Sequence, residues 1–263
     1  MHAVTLVLAA SLSAAALATQ DPETPPSPTE VYRELHAAGD QDGLVTFWRE
    51  NPGRVLYTID ADLEGSLALW EAGRDGESGE VSLDEATSAA IALHHERALF
   101  GARAAVEAFD RPIFLDYTAS FVSWGAAEKL DFRAGQAAFG EAMQAMGAGD
   151  LEAAVAAGER CTALAEPLGD WWGTSMGLGI SGAAKLQLED PAGALTDLSK
   201  ARLLDQALGL VGSERRSLEG MLDACEALGR TARAIACCEA LIAMTEGPPQ
   251  AEFEERLAKL RGA

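Results

Sequence analysis

A pattern that recurs every 40 residues constrains the fold of this chain more than any other feature of its sequence. Tight turns stand at Gly149-Asp150, Glu189-Asp190 and Gly229-Arg230. An alanine stands four residues after each turn, and an aliphatic residue follows it. These alanines are Ala154, Ala194 and Ala234. A fixed period of roughly 20 to 50 residues is typical of stacked supersecondary units. The sequence therefore predicts an array of similar helical hairpins.

The turns and the apolar periodicity set the boundaries of the predicted helices. The first helices of three hairpins are predicted over 131–148, 170–188 and 213–228, and the second helices over 151–165, 191–207 and 231–245. Asp190 before Pro191 is a favourable N-cap followed by proline at the first helical position. Because the turns are short, consecutive helices must run antiparallel. A last helix over 250–260 is rich in Glu, Lys and Arg and fits a solubilising cap.

These residues resemble the tetratricopeptide repeat family, over about residues 131–262. The family has a small residue in its first helix, and Ala142 and Gly182 stand there in two repeats. The family also has alanines at two positions of its second helix. The first of these positions holds Ala154, Ala194 and Ala234 in the three repeats, and the second holds Cys161, Ala201 and Leu241. The third repeat departs from the pattern at Leu222 and Leu241, and the period exceeds the usual one of about 34 residues. The resemblance implies an all-α fold: a right-handed stack of antiparallel hairpins, or α-solenoid.

The resemblance also implies where a partner would bind. Stacked hairpins leave a concave groove, which the first helix of each pair lines. By the family's pattern the groove is lined by Gln136, Met143, Met176, Ala183, Arg216 and Asp223. The implied function is a non-catalytic scaffold or adaptor, in a bacterial envelope, that holds a protein or peptide partner.

The cysteines raise the question of a disulfide. The family's pattern places Cys225 and Cys238 opposite each other within one hairpin, so the resemblance implies a bond between them. The alternative is two buried free thiols that act as small apolar residues. Cys161 lies two repeats away and is not expected to pair with either.

Composition excludes some classes of partner. Acidic residues outnumber basic ones by 41 to 20, which gives a formal net charge of −21. Such a surface repels phosphate backbones and anionic lipids, so nucleic-acid binding is not expected. The same charge favours a basic partner. Aromatic residues make up only 6% of the chain, which suits thin layers between helices.

The N-terminal residues are typical of a secretory signal. Residues 3–18 are almost all apolar, and the triplet Ala16-Leu17-Ala18 predicts cleavage between Ala18 and Thr19. The alternative is an uncleaved anchor, for which about 16 residues is short. A Pro-rich tether is predicted over 19–28, and no other long apolar run occurs. We therefore expect an exported protein, periplasmic or extracellular, with no membrane span in its mature chain.

The region 29–130 is predicted to be helical and non-repetitive. Helices are predicted over 30–38, 42–50, 55–72, 83–109 and 112–130. Ser82 and Glu85 are expected to form a capping box at the fourth of these. The preceding loop resembles part of a calcium-binding loop, but Arg74 and Gly76 stand where oxygen ligands are needed. The last helix carries an aromatic face, which is expected to pack this region onto the repeats, with a ligand box as the alternative.

The alternative function is an enzyme or a ligand or metal sensor with its site around His94, His95 and Glu96. Adjacent residues on a helix point about 100° apart, so the two histidines cannot share a metal without ligands from another helix. The competing interpretation is that His95 packs half-buried and His94 lies on the surface. With no nucleophile–base pair, phosphate loop or metal-ligand spacing, no catalytic residue, cofactor or metal is predicted.

Overall fold

The computed structural model describes residues 26–75 and 80–262, and this part of the chain is almost entirely helical. The predicted all-α class is confirmed, and within the described ranges the only strand-like pairing is a single bridge between Arg74 and Val81. The helices are α1 (Pro28–Ala38), α2 (Gln41–Glu50), α3 (Val55–Ala72), α4 (Glu85–Phe109), α5 (Ile113–Ser123), α6 (Ala126–Ala148), α7 (Leu151–Ala165), α8 (Trp171–Gln187), α9 (Pro191–Leu208), α10 (Val211–Ala227), α11 (Thr231–Met244) and α12 (Pro248–Gly262). The predicted signal segment 1–18, its cleavage site at Ala18 and Thr19, and most of the tether lie outside the described residues.

Left-handed residues mark the helix ends of the array at a regular spacing of 20 residues. They are Gly149, Gly169, Glu189, Gly209 and Gly229, with φ angles of 77°, 69°, 60°, 72° and 65°. A left-handed residue after a helix allows its last carbonyls to accept hydrogen bonds, and glycine adopts that conformation at little cost. Each helix with its turn therefore occupies 20 residues, and the period of 40 residues in the sequence corresponds to two such units.

Aspartates begin five of the helices. The side chains of Asp40, Asp84, Asp150, Asp170 and Asp190 each accept a hydrogen bond from the backbone N–H three residues later, at 2.7–3.2 Å. This is the usual N-cap contact, worth about 1 kcal/mol for each helix. The predicted capping box at Ser82 is wrong, because Asp84 caps α4 and the helix begins at Glu85.

The predicted helix over 112–130 is wrong, because the chain breaks there into α5 and α6. Trp124 has an extended backbone, with ψ at 132°, and Gly125 is extended as well. The Trp124 ring packs against Phe121 and Phe132, and its Nε1 donates to the Leu168 carbonyl at 3.1 Å. Burial of this large ring stabilises the fold more than continuation of the helix would. The predicted start of the repeats at residue 131 consequently lies inside α6.

The largest apolar cluster joins the N-terminal helices to the array. Its largest fully buried side chains include Trp48, Phe114, Tyr117 and Phe121. The same cluster extends to residues of the array, which are Phe132, Leu168, Leu208 and Leu210. The predicted boundary at residue 130 is therefore not a boundary in packing. A second cluster, built mainly of Ala, Leu and Cys, fills the layers from α9 to α12.

Neighbouring helices of the array pack against each other in sequence order. Each helix from α6 to α12 contacts the next, while α8 also contacts α6 and α10. Small residues permit the closest of these contacts: a Cβ atom on Gly177 would lie 2.7 Å from the backbone oxygen of Gly158. Among the helices of the described ranges, none combines the length and apolar character needed to cross a bilayer.

Candidate ligand-binding groove

One face each of α6, α8 and α10 encloses a cavity of about 650 Å³. This volume lies within the range of known ligand sites, roughly 300–1,000 Å³. The lining recurs at helical spacing on these three helices, and α9 adds Leu198 and Asp205. The lining includes Phe139, Met143 and Met146 of α6, Trp172, Ser175, Met176 and Ala183 of α8, and Ser213, Arg216, Ser217 and Asp223 of α10.

The structure brings most of the predicted groove residues together in this cavity. Five of the six line it, namely Met143, Met176, Ala183, Arg216 and Asp223. The sixth, Gln136, lines an adjoining cavity instead. Its side-chain amide donates a hydrogen bond to Glu64 there, at 2.7 Å. The predicted residues thus form one continuous surface across α6, α8 and α10.

The surface of this cavity is apolar and adaptable. Met143, Met146 and Met176 all line it, and methionine side chains adjust their shape to different partners. Met143 is 54% exposed, as is Tyr57, whose ring stands 5.4 Å from that of Trp172 in an edge-on arrangement. Exposed aromatic and methionine side chains around a concavity are typical of binding surfaces.

Polar side chains are placed at a few positions in this apolar wall. Asp205 is only 2% exposed and accepts hydrogen bonds from Ser175 and Ser217. Burial raises the pKa of Asp205, and the two hydroxyls oppose this effect. Arg216 is exposed and donates to Ser213 of its own helix at 3.1 Å.

Asp223 differs from Arg216 because the protein already neutralises it. Its carboxylate lies 2.7 Å from the guanidinium of Arg256 on α12. Arg216 is therefore the more available of the two charged groups that the sequence predicted for the groove.

A smaller cavity of about 340 Å³ adjoins the first. The two share Phe139, Trp172 and Met176 as lining residues, so they are adjacent compartments of one surface. The smaller compartment lies where the N-terminal helices meet the array. Its other lining residues are Asp60, Tyr117, Phe132, Gly135, Gln136, Cys161, Asp170 and Gly173.

Two carboxylates in the smaller cavity have perturbed acidity. The Tyr117 hydroxyl donates to Asp60 at 2.5 Å. Burial raises the pKa of Asp60 to about 7, with nearby Glu64 and Asp170 contributing in the same direction. Burial also raises the pKa of Asp170 to about 6, although this carboxylate accepts from the Gly173 N–H at 2.8 Å.

Sequence reasoning missed Asp60, Asp170 and Asp205 as residues of a binding surface. Asp205 lies on α9, a second helix that the predicted groove did not include, and Asp170 is the N-cap of α8 rather than one of the groove positions that the family pattern implied. Asp60 stands close to Asp62 and Glu64 in the same helix, so the sequence offered no signal that distinguishes it from these neighbouring acids. Their proximity depends on tertiary packing, which the sequence pattern does not give.

The alternative site around His94, His95 and Glu96 does not converge. His94 Nδ1 lies 2.9 Å from Asp62 Oδ1, whereas His95 Nε2 lies 3.0 Å from the Ser66 hydroxyl. The exposed Glu96 points elsewhere, with His36 as its neighbour at 3.9 Å. Contrary to the surface position predicted for it, His94 is half-buried between helices.

Asp62 is the centre of a buried ionic group in this region. It is 4% exposed and receives the guanidinium of Arg97 as well as the imidazole of His94. Because removal of one partner would leave a buried charge uncompensated, the fold must keep these side chains of α3 and α4 together. Over the ranges 26–75 and 80–262, no three His, Cys, Asp or Glu side chains are arranged to hold a metal ion.

All four cysteines of the described region are buried free thiols. Cys225 interacts with the thiol of Cys237. Burial raises the pKa of Cys161 and of Cys237 to about 11. The disulfide between Cys225 and Cys238 stays a prediction.

Comparison with protein-family models and with curated proteins finds no match for this chain.

Proposed function

We propose that this protein is a non-catalytic interaction scaffold that binds a peptide, or an exposed segment of a protein, in the groove between α6, α8 and α10. One observation carries the proposal: a single face of each of these alternate helices lines one cavity of about 650 Å³. A repeating face on alternate helices is the geometry by which helical repeats present a binding surface.

Local structure supports a tetratricopeptide-like organisation of the array. Helix ends recur every 20 residues, and α8 contacts both α6 and α10 besides its neighbours in sequence. The small residues Ala142 and Gly182 occupy crowded positions, and a Cβ atom on Gly182 would lie 2.7 Å from Leu198. Stacking of this kind produces a concave surface along the first helices of the pairs.

The chemistry of the groove supports a peptide as the occupant. Flexible methionines and Trp172 provide apolar contact area, while Arg216 and Ser213 offer hydrogen bonds at its wall. The net charge of −21 disfavours nucleic acid and favours a partner with basic residues.

The proposed setting is outside the cytoplasm, where the protein would act as an adaptor or assembly factor in a bacterial envelope. The support is the apolar run over 3–18 with its small residues Ala16 and Ala18. N-terminal sequencing of the protein recovered from its native host tests this proposal. A sequence that begins at Thr19 is expected, and one that retains residues 1–18 would contradict export by cleavage.

A matched pair of variants tests the groove itself. Ala183→Arg places a long charged side chain in the cavity, whereas Ala156→Arg places it on an exposed position of α7 away from the groove. Peptides selected from a random library on the wild-type protein should bind Ala156→Arg normally. We expect their affinity for Ala183→Arg to fall at least about tenfold, since a central contact is blocked.

Circular dichroism and thermal unfolding of both variants control for loss of fold. Equal binding of the selected peptides to both variants would place the binding surface elsewhere. Failure to select any peptide on the wild-type protein would overturn the proposal.

A further inference from the structure

The smaller cavity combines aromatic rings with carboxylates. Phe132, Phe139 and Trp172 supply ring surfaces, although the Arg133 guanidinium already lies 5.9 Å from the centre of the Phe132 ring; Asp60 and Asp170 supply the acidic groups. Aromatic faces attract cations within about 6 Å of the ring, because the π-system is electron-rich. A carboxylate beside such faces adds a counter-charge, so the walls favour a positively charged group over a neutral one.

The carboxylates of this cavity are not neutralised by the protein itself. Asp60 is bound by the neutral hydroxyl of Tyr117, and Asp170 by a backbone N–H. In the described part of the chain, neither carboxylate forms an ion pair with a lysine, arginine or histidine. Asp170 is sheltered from water, being 5% exposed, and Asp60 is half-buried. A sheltered carboxylate without a cation is stabilised by any cation that enters.

The nearest basic group is already engaged by other acids. Arg133 lies beside the cavity on α6 and forms ion pairs with Glu64 at 2.8 Å and with Glu71 at 2.7 Å. It also donates to Gln136 at 2.6 Å. Since these two glutamates more than offset its charge, the region around Asp60 and Asp170 keeps an excess of negative charge.

We propose that the smaller cavity binds the cationic end of a lysine or arginine side chain carried by the peptide that occupies the groove. This inference rests on the proposed function, because the cavity adjoins the larger one at the shared lining residues Phe139, Trp172 and Met176. A volume of about 340 Å³ accommodates one long side chain, with its methylene stem against the rings and its charge beside Asp60. The overall negative charge of the protein would draw such a partner towards it.

A pair of small probes tests the cavity without knowledge of the partner. Nα-acetyl-lysine N-methylamide carries the cation, and Nα-acetyl-norleucine N-methylamide has a neutral stem of similar shape. Titration of each into the full-length protein is followed by the NMR signal of the Trp172 indole. We expect the lysine probe to bind at least about tenfold more tightly, the equivalent of 1.4 kcal/mol. The titration is done near pH 8, where Asp60, with its pKa of about 7, is mostly ionised.

Substitution of the carboxylate identifies the group responsible. Asp60→Asn keeps an acceptor for the Tyr117 hydroxyl and removes only the charge. We expect it to reduce the affinity of the lysine probe to that of the norleucine probe. Asp116→Asn, at an exposed position of α5, changes the net charge equally and should leave the preference unchanged. Equal binding of both probes to the wild type, or an unchanged preference in Asp60→Asn, would overturn the inference.

Different experimental outcomes would overturn the binding groove and the cation site. Ala183→Arg obstructs the larger cavity, so it should weaken peptide binding and leave the lysine probe bound in the smaller one. Peptides selected on the wild type with no enrichment in lysine or arginine would overturn the cation site and leave the scaffold standing. Binding of the lysine probe together with failure to select any peptide would overturn the scaffold and support the cation site.

Discussion

Buried aspartates in this protein are stabilised in different ways, and their surroundings decide what each can do. Asp62 is paired with the cationic Arg97, so its charge is balanced within the fold. Asp205 receives two serine hydroxyls, and Asp60 receives one tyrosine hydroxyl. A hydroxyl provides a hydrogen bond but no compensating charge, so burial still raises the pKa of Asp60 and of Asp205. Ion pairing thus makes Asp62 structural, whereas Asp60 remains responsive to a ligand or to pH.

The raised pKa of Asp60 predicts a specific dependence of stability on pH. Its ordinary value is 3.8 and its value in the fold is about 7, so between these limits the folded state binds more protons than the unfolded state. The contribution of Asp60 to the free energy of unfolding is therefore greatest at low pH and is lost as the pH rises towards 7. Glu64, Asp170, Arg133 and the Tyr117 hydroxyl are the groups that act on it.

Urea denaturation across this pH interval, for the wild type and Asp60→Asn, measures the effect. We expect the variant to lose part of the downward slope, by up to about 1.4 kcal/mol per pH unit. Asp116→Asn, which removes an exposed acid of α5, serves as the control. Parallel pH profiles for wild type and Asp60→Asn would show that Asp60 keeps its ordinary acidity.

At the scale of helices, the spacing between α7 and α8 depends on residues without side chains. Gly177 faces Gly158 across the contact between these helices, and both are buried. Gly179 is on the same helix as Gly177 but has open space around the position of a Cβ atom. The two positions separate the effect of helix packing from that of glycine's poor helix propensity.

We expect Gly177→Ala to destabilise the protein and Gly179→Ala to stabilise it. The new methyl at Gly177 would lie 2.7 Å from the Gly158 oxygen and 2.8 Å from the Thr162 nitrogen, so the backbones must separate. Overpacking of this kind costs about 1–3 kcal/mol. At Gly179 the exchange should raise the free energy of unfolding by up to about 1 kcal/mol, because alanine has the higher helix propensity. Chemical denaturation measures both, and changes of the same sign would refute the packing argument.

Glu189 is the exception in the series of left-handed helix ends. Its φ of 60° is unfavourable for a residue with a Cβ atom, and four glycines occupy the equivalent positions. Glu189→Gly should raise the free energy of unfolding by about 1 kcal/mol, because the left-handed conformation costs roughly 1–2 kcal/mol and glycine's larger entropy in the unfolded chain returns part of the gain.

Two controls accompany that measurement. Glu189→Ala removes the charge but keeps the Cβ atom, so it should give little gain. Gly229→Ala introduces the same strain at φ 65° and should destabilise the protein. A gain in Glu189→Ala equal to that in Glu189→Gly would assign the effect to charge rather than to backbone conformation.

At the scale of the whole molecule, the N-terminal helices and the array share one apolar cluster, and the surface carries a large net charge. Phe132, Leu168 and Leu208 belong to the same cluster as Trp48 and Phe114. This continuity explains why a boundary drawn at residue 130 does not separate two cores. It also places α3 and α5 beside the groove, where they complete its smaller compartment.

The net charge of −21 predicts that salt stabilises the fold. Repulsion between like charges opposes the compact state, and raising the salt from about 10 mM to about 150 mM shortens the screening length from roughly 30 Å to 8 Å. We expect the thermal unfolding midpoint to rise between these concentrations, equally in sodium and potassium chloride. A fall would show that exposed ion pairs, such as those of Arg256 with Asp223 and Glu226, outweigh the general repulsion.

The sequence by itself determined the helical class, most helix boundaries and the face of the array that carries Met143, Met176 and Arg216. Those features depend on contacts between residues close in the chain: the turn residues, the aspartate N-caps and apolar spacing along one helix. Only the tertiary structure decided that Trp124 interrupts a helix and that Asp60 meets Tyr117, 57 residues away. The angles and distances between packed helices determine such meetings. They arise from the combined fit of many side chains, which no local pattern records.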